Sequence, residues 1–169
     1  AGYEPSVEYP ADNYLADNLR QCAQLLTADL GVRALGVGYD GYDTHASQED
    51  GRNDTQLGYH SVLMRDVSDA IGAFQADLAG HGIAQDVILL VFSEFGRRPE
   101  ENNDAGTDHG YGSVGFVVGE TVQGGVYGDY PNLSEDRLVL DGNVDVTVDF
   151  RSVYSEVLAE FIGTDPVPV

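Results

Sequence analysis

At 169 residues the chain has the length of one domain, its 42% hydrophobic content suits a globular core, and no apolar run approaches the ~18 residues a membrane helix needs. Acidic residues number 29 against 8 basic ones, every basic one an arginine, for a formal net charge of −21. That charge argues against nucleic acid and anionic membranes as partners, and reads as adaptation to high salt, with a generically acidic secreted protein from a GC-rich genome as the alternative.

The opening residues "AGYEPSVEYP" offer neither a basic start nor an apolar stretch of the secretory kind, and the missing initiator Met reads as a processed or truncated product. Pro10 and Asp12 then open a helix with Leu15, Leu19, Cys22, Leu26 and Leu30 on one stripe and Gly31 as its stop. Cys22, the single cysteine, is expected as a small buried hydrophobe. "VRALGVGY" reads as a short buried strand running into the polar stretch "DGYDTHASQEDGRNDTQ". A second helix follows, with Leu63, Val67, Ala70, Ile71, Phe74 and Leu78 on one face and Gly80-His81-Gly82 at its end.

"DVILLVF" lacks polar alternation, as expected of a strand covered on both faces. "VGFVVG" is a further strand, "GGVYGDYPNL" a turn-rich crossing, and "RLVLDGNVDVTVDF" a short hairpin around Asp141-Gly142. "DFRSVYSEVLAEFIG" closes the order as a helix. The alternation predicts an α/β fold, a largely parallel sheet flanked by helices, whose sites form beyond the carboxyl ends of strands. Two glycosylation sequons occur, at Asn53 and Asn132.

The chemistry gathers at predicted strand ends. Asp43 and His45, two residues apart in extended backbone, project to one side and can share a divalent cation. The same pair also occurs as a hydrogen-bonded loop couple. Glu94 ends the apolar strand, where a desolvated carboxylate needs a partner, either a metal or Arg97. Asp108-His109 lies in "GTDHGYG", where glycines permit close approach to a ligand. His60 and His81 read as solvated. A serine hydrolase built on Ser93 with Asp108-His109 is a further reading, but "VFSEFG" lacks the first glycine of a nucleophile elbow.

"GYDTHASQ", "VFSEFGRRPEENNDAGTDHG", "GGVYGDYPNL" and "TVDFRSVYSEVLAEFIG" resemble, in order and spacing, signature blocks of the domain-of-unknown-function 1501 family (DUF1501). The resemblance implies an exported, periplasmic or cell-surface protein of the alkaline phosphatase and sulfatase superfamily. It implies that residues 1–169 are one domain similar to the C-terminal half of a longer one, with the nucleophile on the N-terminal part. Asp43, His45 and His109 resemble one metal's ligands, joined by Asp108. Glu94 stands where relatives carry an Asp-His pair for a second metal, and here that dipeptide is Glu94-Phe95.

The implied cofactor is zinc, with calcium, magnesium or manganese as alternatives, and Arg97 would face a small anionic ester substrate. A partner chain or an N-terminal segment is expected to cover the sheet. Two readings remain open: a metal-dependent phosphatase- or sulfatase-like hydrolase, this chain alone being inactive, and a non-catalytic exported protein keeping at most one structural metal.

Overall fold

The computed structural model describes residues 2–49 and 56–166, so the expected sequon at Asn53 lies outside the described residues. Chain order gives α1 (Tyr14–Thr27), α2 (Tyr59–Gly80), β1 (Leu89–Val91), β2 (Gly96–Glu101), β3 (Thr107–Gly110), β4 (Phe116–Val118) and α3 (Phe150–Glu156), which continues as a π-helical turn over Val157–Phe161. The chain divides into two compact units, Ala1–Phe92 with Glu101–Asp108 and Gly115–Gln123, and Ser93–Glu100 with His109–Val114 and Gly124–Val169.

The expected parallel sheet is absent from the described residues. In its place stand two small two-stranded antiparallel sheets, β1 with β4 and β2 with β3. "VRALGVGY" is neither helix nor strand, and Val32 to Gly38 are exposed. Gly31, Gly36 and Gly38 bring no side chain to pack, and a Cβ at any of them would meet nothing within 4 Å. "DVILLVF" shortens to the three residues of β1, registered as Leu89↔Val118, Leu90↔Val117 and Val91↔Phe116. Its apolar run reflects partial cover, since all three β1 residues are only half-buried. The hairpin at Asp141-Gly142 reduces to a single antiparallel bridge, Val139↔Asn143, closed by positive φ at Leu140, Asp141 and Gly142.

The first unit is organised by its helices. Asn13 caps α1, its side chain accepting from the Ala16 N–H at 3.1 Å. The helix stops at Ala28, before the expected Gly31, and Leu30 is left exposed. Leu15, Ala16, Leu19 and Ala23 of α1 pack with Ala70, Phe74 and Leu78 of α2 and with Ala84. Ala16, Ala23 and Ala70 are fully buried, and small side chains at such positions let two helices approach closely. Phe74 and Leu78, both essentially buried, each contribute on the order of 1.5–3 kcal/mol. Cys22 is half-buried beside this cluster, and burial pushes its thiol pKa up.

Helical spacing gives no hint of the most demanding group in this core. Asp77, on the buried face of α2, is fully inaccessible. Its carboxylate accepts from Tyr3 Oη (2.5 Å), Tyr9 Oη (2.9 Å), the Ser6 N–H (2.7 Å) and Ser6 Oγ (3.0 Å). Burial alone would raise the Asp77 pKa, but the hydrogen bonds from Tyr3, Ser6 and Tyr9 outweigh it and hold the group below the ordinary carboxylate value. Burial and the same carboxylate push Tyr3 up to about 12 and Tyr9 higher still. His81, expected to be solvated, has its ring 5.5 Å from Tyr3 and its Nε2 3.4 Å from Asp77. These bonds fasten the segment before α1 onto the end of α2.

The second unit has a thinner interior. Val126 and Tyr130 in the turn-rich stretch are 89% and 84% exposed. Asn143 is nearly buried and donates through Nδ2 to the Leu140 carbonyl, tying the turn. Asp149 caps α3, accepting from the Arg151 N–H at 2.9 Å and pairing with the Arg151 guanidinium at 2.5 Å. Arg151 holds the exposed Asp149 carboxyl down at about 2. No helix among the described residues is long and apolar enough to cross a membrane.

Candidate functional site

The loop bearing Asp43 and His45 is fixed from both ends. Upstream, the rings of Tyr14, Tyr39 and Tyr42 meet in sequence at centroid distances of 4.9 and 5.9 Å. Tyr42 Oη donates to the Leu63 carbonyl at 2.9 Å, and Tyr14 Oη accepts from the Asp40 N–H at 2.7 Å. Burial first, then the neighbouring Tyr39 and Asp66, pushes the Tyr42 pKa up to about 12. Gly41 has φ +107°, and a Cβ there would sit 2.9 Å from Tyr59 Oη and 3.1 Å from Leu63, so the turn needs glycine twice over. Tight turns follow, with the Thr44 N–H bonded to the Tyr42 carbonyl at 2.9 Å and the His45 N–H to that of Asp43 at 3.2 Å.

Downstream, the loop docks on the turn of the β2–β3 hairpin. The N–H groups of Ser47 and Gln48 donate to the carbonyls of Asp104 (3.0 Å) and Ala105 (2.8 Å), and the Thr107 N–H donates to that of Thr44 (3.4 Å). Gln48 Nε2 bridges the hydroxyls of Thr44 (2.6 Å) and Thr107 (3.1 Å), and Thr44 is 4% exposed. Gly106 allows the approach, because a Cβ there would lie 2.3 Å from the His45 carbonyl carbon.

Asn102 is the organising residue that sequence reasoning passed over. Its Oδ1 accepts from the N–H groups of Asp104 (3.0 Å) and Gly106 (3.1 Å), shaping the turn. Its Nδ2 donates to the His45 carbonyl (2.9 Å) and to Asp108 Oδ1 (3.2 Å). The signal was present in "ENNDAG", whose Asn, Asp and Gly are the residues of side-chain-closed turns.

This scaffold puts His45 between two carboxylates. Nε2 lies 2.9 Å from Asp43 Oδ1 and Nδ1 lies 3.3 Å from Asp108 Oδ1. All three side chains are about half exposed, so these are surface interactions with modest Coulombic worth. Their chemistry is more informative than their energy. A neutral imidazole has one N–H and one lone pair, so it satisfies one of the two carboxylates. The other contact brings two acceptors face to face unless a second proton or a cation lies between them. An open hollow of about 460 Å³ lies beside the pair, lined by Gly41, Asp43, Thr44, His45, Ala46 and Tyr59.

The remaining expected site residues fall mainly in the second unit. The His109 ring stacks on Phe95, with centroids 4.1 Å apart and planes 6° from parallel, and the Arg97 guanidinium carbon lies 5.1 Å from the Phe95 centroid. Glu94 is exposed, contrary to the desolvated strand-end carboxylate expected, because β1 ends at Val91, before Glu94. Its Oε2 lies 3.5 Å from the Ser93 hydroxyl. Asp108, which a Ser93-based triad would require beside His109, has its Oδ1 directed to His45 and Asn102. Nor do the sites share the carboxyl edge of a parallel sheet, since the first unit presents Asp43, His45 and Asp108 through a loop docked on a hairpin turn.

Helices, two short antiparallel sheets and a loop-borne Asp–His–Asp group define a small α+β protein whose polar site rests on loops. The family model described as "Protein of unknown function (DUF1501)" matches residues 11–164, and the chain belongs to that family. No curated protein and no solved structure matches it.

Proposed function

We propose that this chain is a divalent-cation-binding protein, with Asp43 and His45 as ligands and Asp108 as the carboxylate that orients the histidine. The observation that carries the reading is the engagement of both ring nitrogens of His45 by carboxylates. Metal-bound histidines commonly donate their second ring N–H to a carboxylate, which fixes tautomer and ring plane. Asp108, itself held by Asn102, is suited to that task at Nδ1. Nε2 then turns its lone pair toward Asp43, where a cation would relieve the acceptor–acceptor contact. Neighbouring ligands at bond lengths of ~2.0–2.2 Å stand roughly 3 Å apart around one metal. The 2.9 Å between Nε2 and Oδ1 fits that spacing.

An imidazole with carboxylates suits zinc first and manganese next. The chemistry we attach to the site is polarisation of an anionic phosphate or sulfate ester, which a bound cation supplies as a Lewis acid. A non-catalytic role has one observation in its favour: Phe95 stacks on an imidazole where a second-metal ligand was expected. Turnover of p-nitrophenyl phosphate and p-nitrophenyl sulfate by zinc- or manganese-loaded protein separates the two. Turnover abolished by chelation and by His45→Ala supports the hydrolase and shows this chain active by itself, whereas a bound cation that neither turns over these esters nor holds inorganic phosphate or sulfate supports the binding protein.

A further inference from the structure

We infer that Asn102 is a positioning residue for the His45–Asp108 pair, an inference that rests on the proposed cation site and deepens it. All three residues belong to the first compact unit. A side-chain amide offers two donors and two acceptor positions, and Asn102 uses all four. Its Oδ1 meets the N–H groups of Asp104 and Gly106, which can only donate, so the orientation of the amide is fixed and Nδ2 turns away from the hairpin turn. Nδ2 holds the His45 carbonyl at 2.9 Å and Asp108 Oδ1 at 3.2 Å. One nitrogen thus grips both the backbone of the histidine and the carboxylate oxygen that meets its ring at 3.3 Å.

The two halves of this amide have separate tasks. Closing the turn needs only Oδ1, and aspartate closes such turns as asparagine does. What the amide alone supplies is the pair of donors. The chain places this neutral residue among Glu100, Glu101 and Asp104. A carboxylate at position 102 would set like charge against Asp108 and an acceptor against the His45 carbonyl. The root of the side chain is fixed as well, since the Asn102 N–H donates to the Gly106 carbonyl at 2.9 Å. The hairpin turn therefore sets where Asp108 Oδ1 stands, and through it the direction in which the His45 ring faces Asp43. Supporting groups of this kind govern metal affinity without touching the metal.

The experiment compares wild type with Asn102→Asp and Asn102→Ser, following Zn²⁺ affinity by chelator competition, amide exchange at Asp104 and Gly106, and the His45 ring signals by NMR. Both variants keep a turn-closing oxygen and lose the donors, so the two amides should stay protected. Zn²⁺ binding should weaken about tenfold in each, in line with the usual effect of removing a supporting partner. The His45 ring signals of the metal-free variants should move as well. An added negative charge would by itself tighten cation binding, so weaker binding in Asn102→Asp carries the sign of lost positioning. Unchanged or tighter Zn²⁺ binding, or unmoved ring signals, in variants with protected turn amides overturns the positioning role and leaves the cation site standing. Weakening that appears only where Asp104 and Gly106 lose protection also overturns it, because the residue then serves the turn alone. Weakening in Asn102→Asp but not in Asn102→Ser overturns it too, as a charge clash rather than a lost donor. Absence of Zn²⁺ binding by wild type removes the cation reading and the positioning role together.

Discussion

Replacing Asp77 should unfasten the segment before α1 from the end of α2. Four donors converge on this one buried carboxylate: the hydroxyls of Tyr3, Tyr9 and Ser6 and the Ser6 N–H. Asp77→Ala removes every acceptor at once and leaves a small cavity. Hydrogen bonds to charged groups contribute about 1.5–3 kcal/mol each. The freed hydroxyls can recover part of that by turning to water, so the net loss should be about 3–5 kcal/mol, a large share of a typical domain's stability. Asp77→Asn keeps one acceptor oxygen but sets an amide NH₂ against hydroxyl donors, and should cost about 1–3 kcal/mol. Urea unfolding gives both values, and near-UV circular dichroism should report altered Tyr3 and Tyr9 environments. The Asp77 pKa is held below its unfolded value, so its contribution is fully present above about pH 4–5 and disappears as pH falls through the lowered folded value. The wild type should therefore lose stability in acid more steeply than Asp77→Asn. A loss below about 1 kcal/mol for Asp77→Ala, or identical acid profiles, would refute this reasoning.

Gly80→Ala improves intrinsic helix propensity by nearly ~1 kcal/mol, yet should destabilise the protein, because the new methyl meets Ser6 Oγ at 2.1 Å. A higher thermal midpoint in that variant would show that the segment is not clamped there. Gly106→Ala should lower stability and loosen the Asp43–His45 loop, since its Cβ would overlap the His45 backbone, and faster amide exchange at Ser47 and Gln48 is the expected sign. With a net charge of −21, the thermal midpoint should rise markedly from low to molar salt as self-repulsion is screened, and a flat or falling midpoint would leave acidity as a solubility trait.

The parts legible in the sequence were those that rest on local periodicity. The stripe Leu15–Leu19 and the face Leu63–Ala70–Phe74–Leu78 repeat at helical spacing, and the helices form there. The parallel sheet was misread because an apolar run such as "VILLVF" carries no information about which strand will pair with it. In "VRALGVGY" the glycines weighed more than the valines, since each removes side-chain packing from a strand. β2 was hidden for the opposite reason: Arg97, Arg98, Pro99 and Glu100 show no apolar face, and its register comes from the Asn102-centred turn. Asp77 was invisible because the partners that make its burial tolerable, Tyr3, Ser6 and Tyr9, are about seventy residues away in the chain. Asp43, His45 and Asp108 were legible by residue type and spacing, and His45 does join both aspartates. The geometric reason had been assigned to strand ends, whereas the structure supplies a loop docked on a hairpin turn.

The central claim is that the engagement of both His45 ring nitrogens by carboxylates marks a cation site, and Zn²⁺ titration of the metal-free chain by chelator competition tests it most directly. The account predicts one tightly held Zn²⁺ per chain, lost in His45→Ala and weakened about 10–100-fold in Asp108→Asn, the range expected when a ligand's orienting carboxylate is removed. Binding that is undetectable in the wild type, or equally strong in His45→Ala, would contradict it.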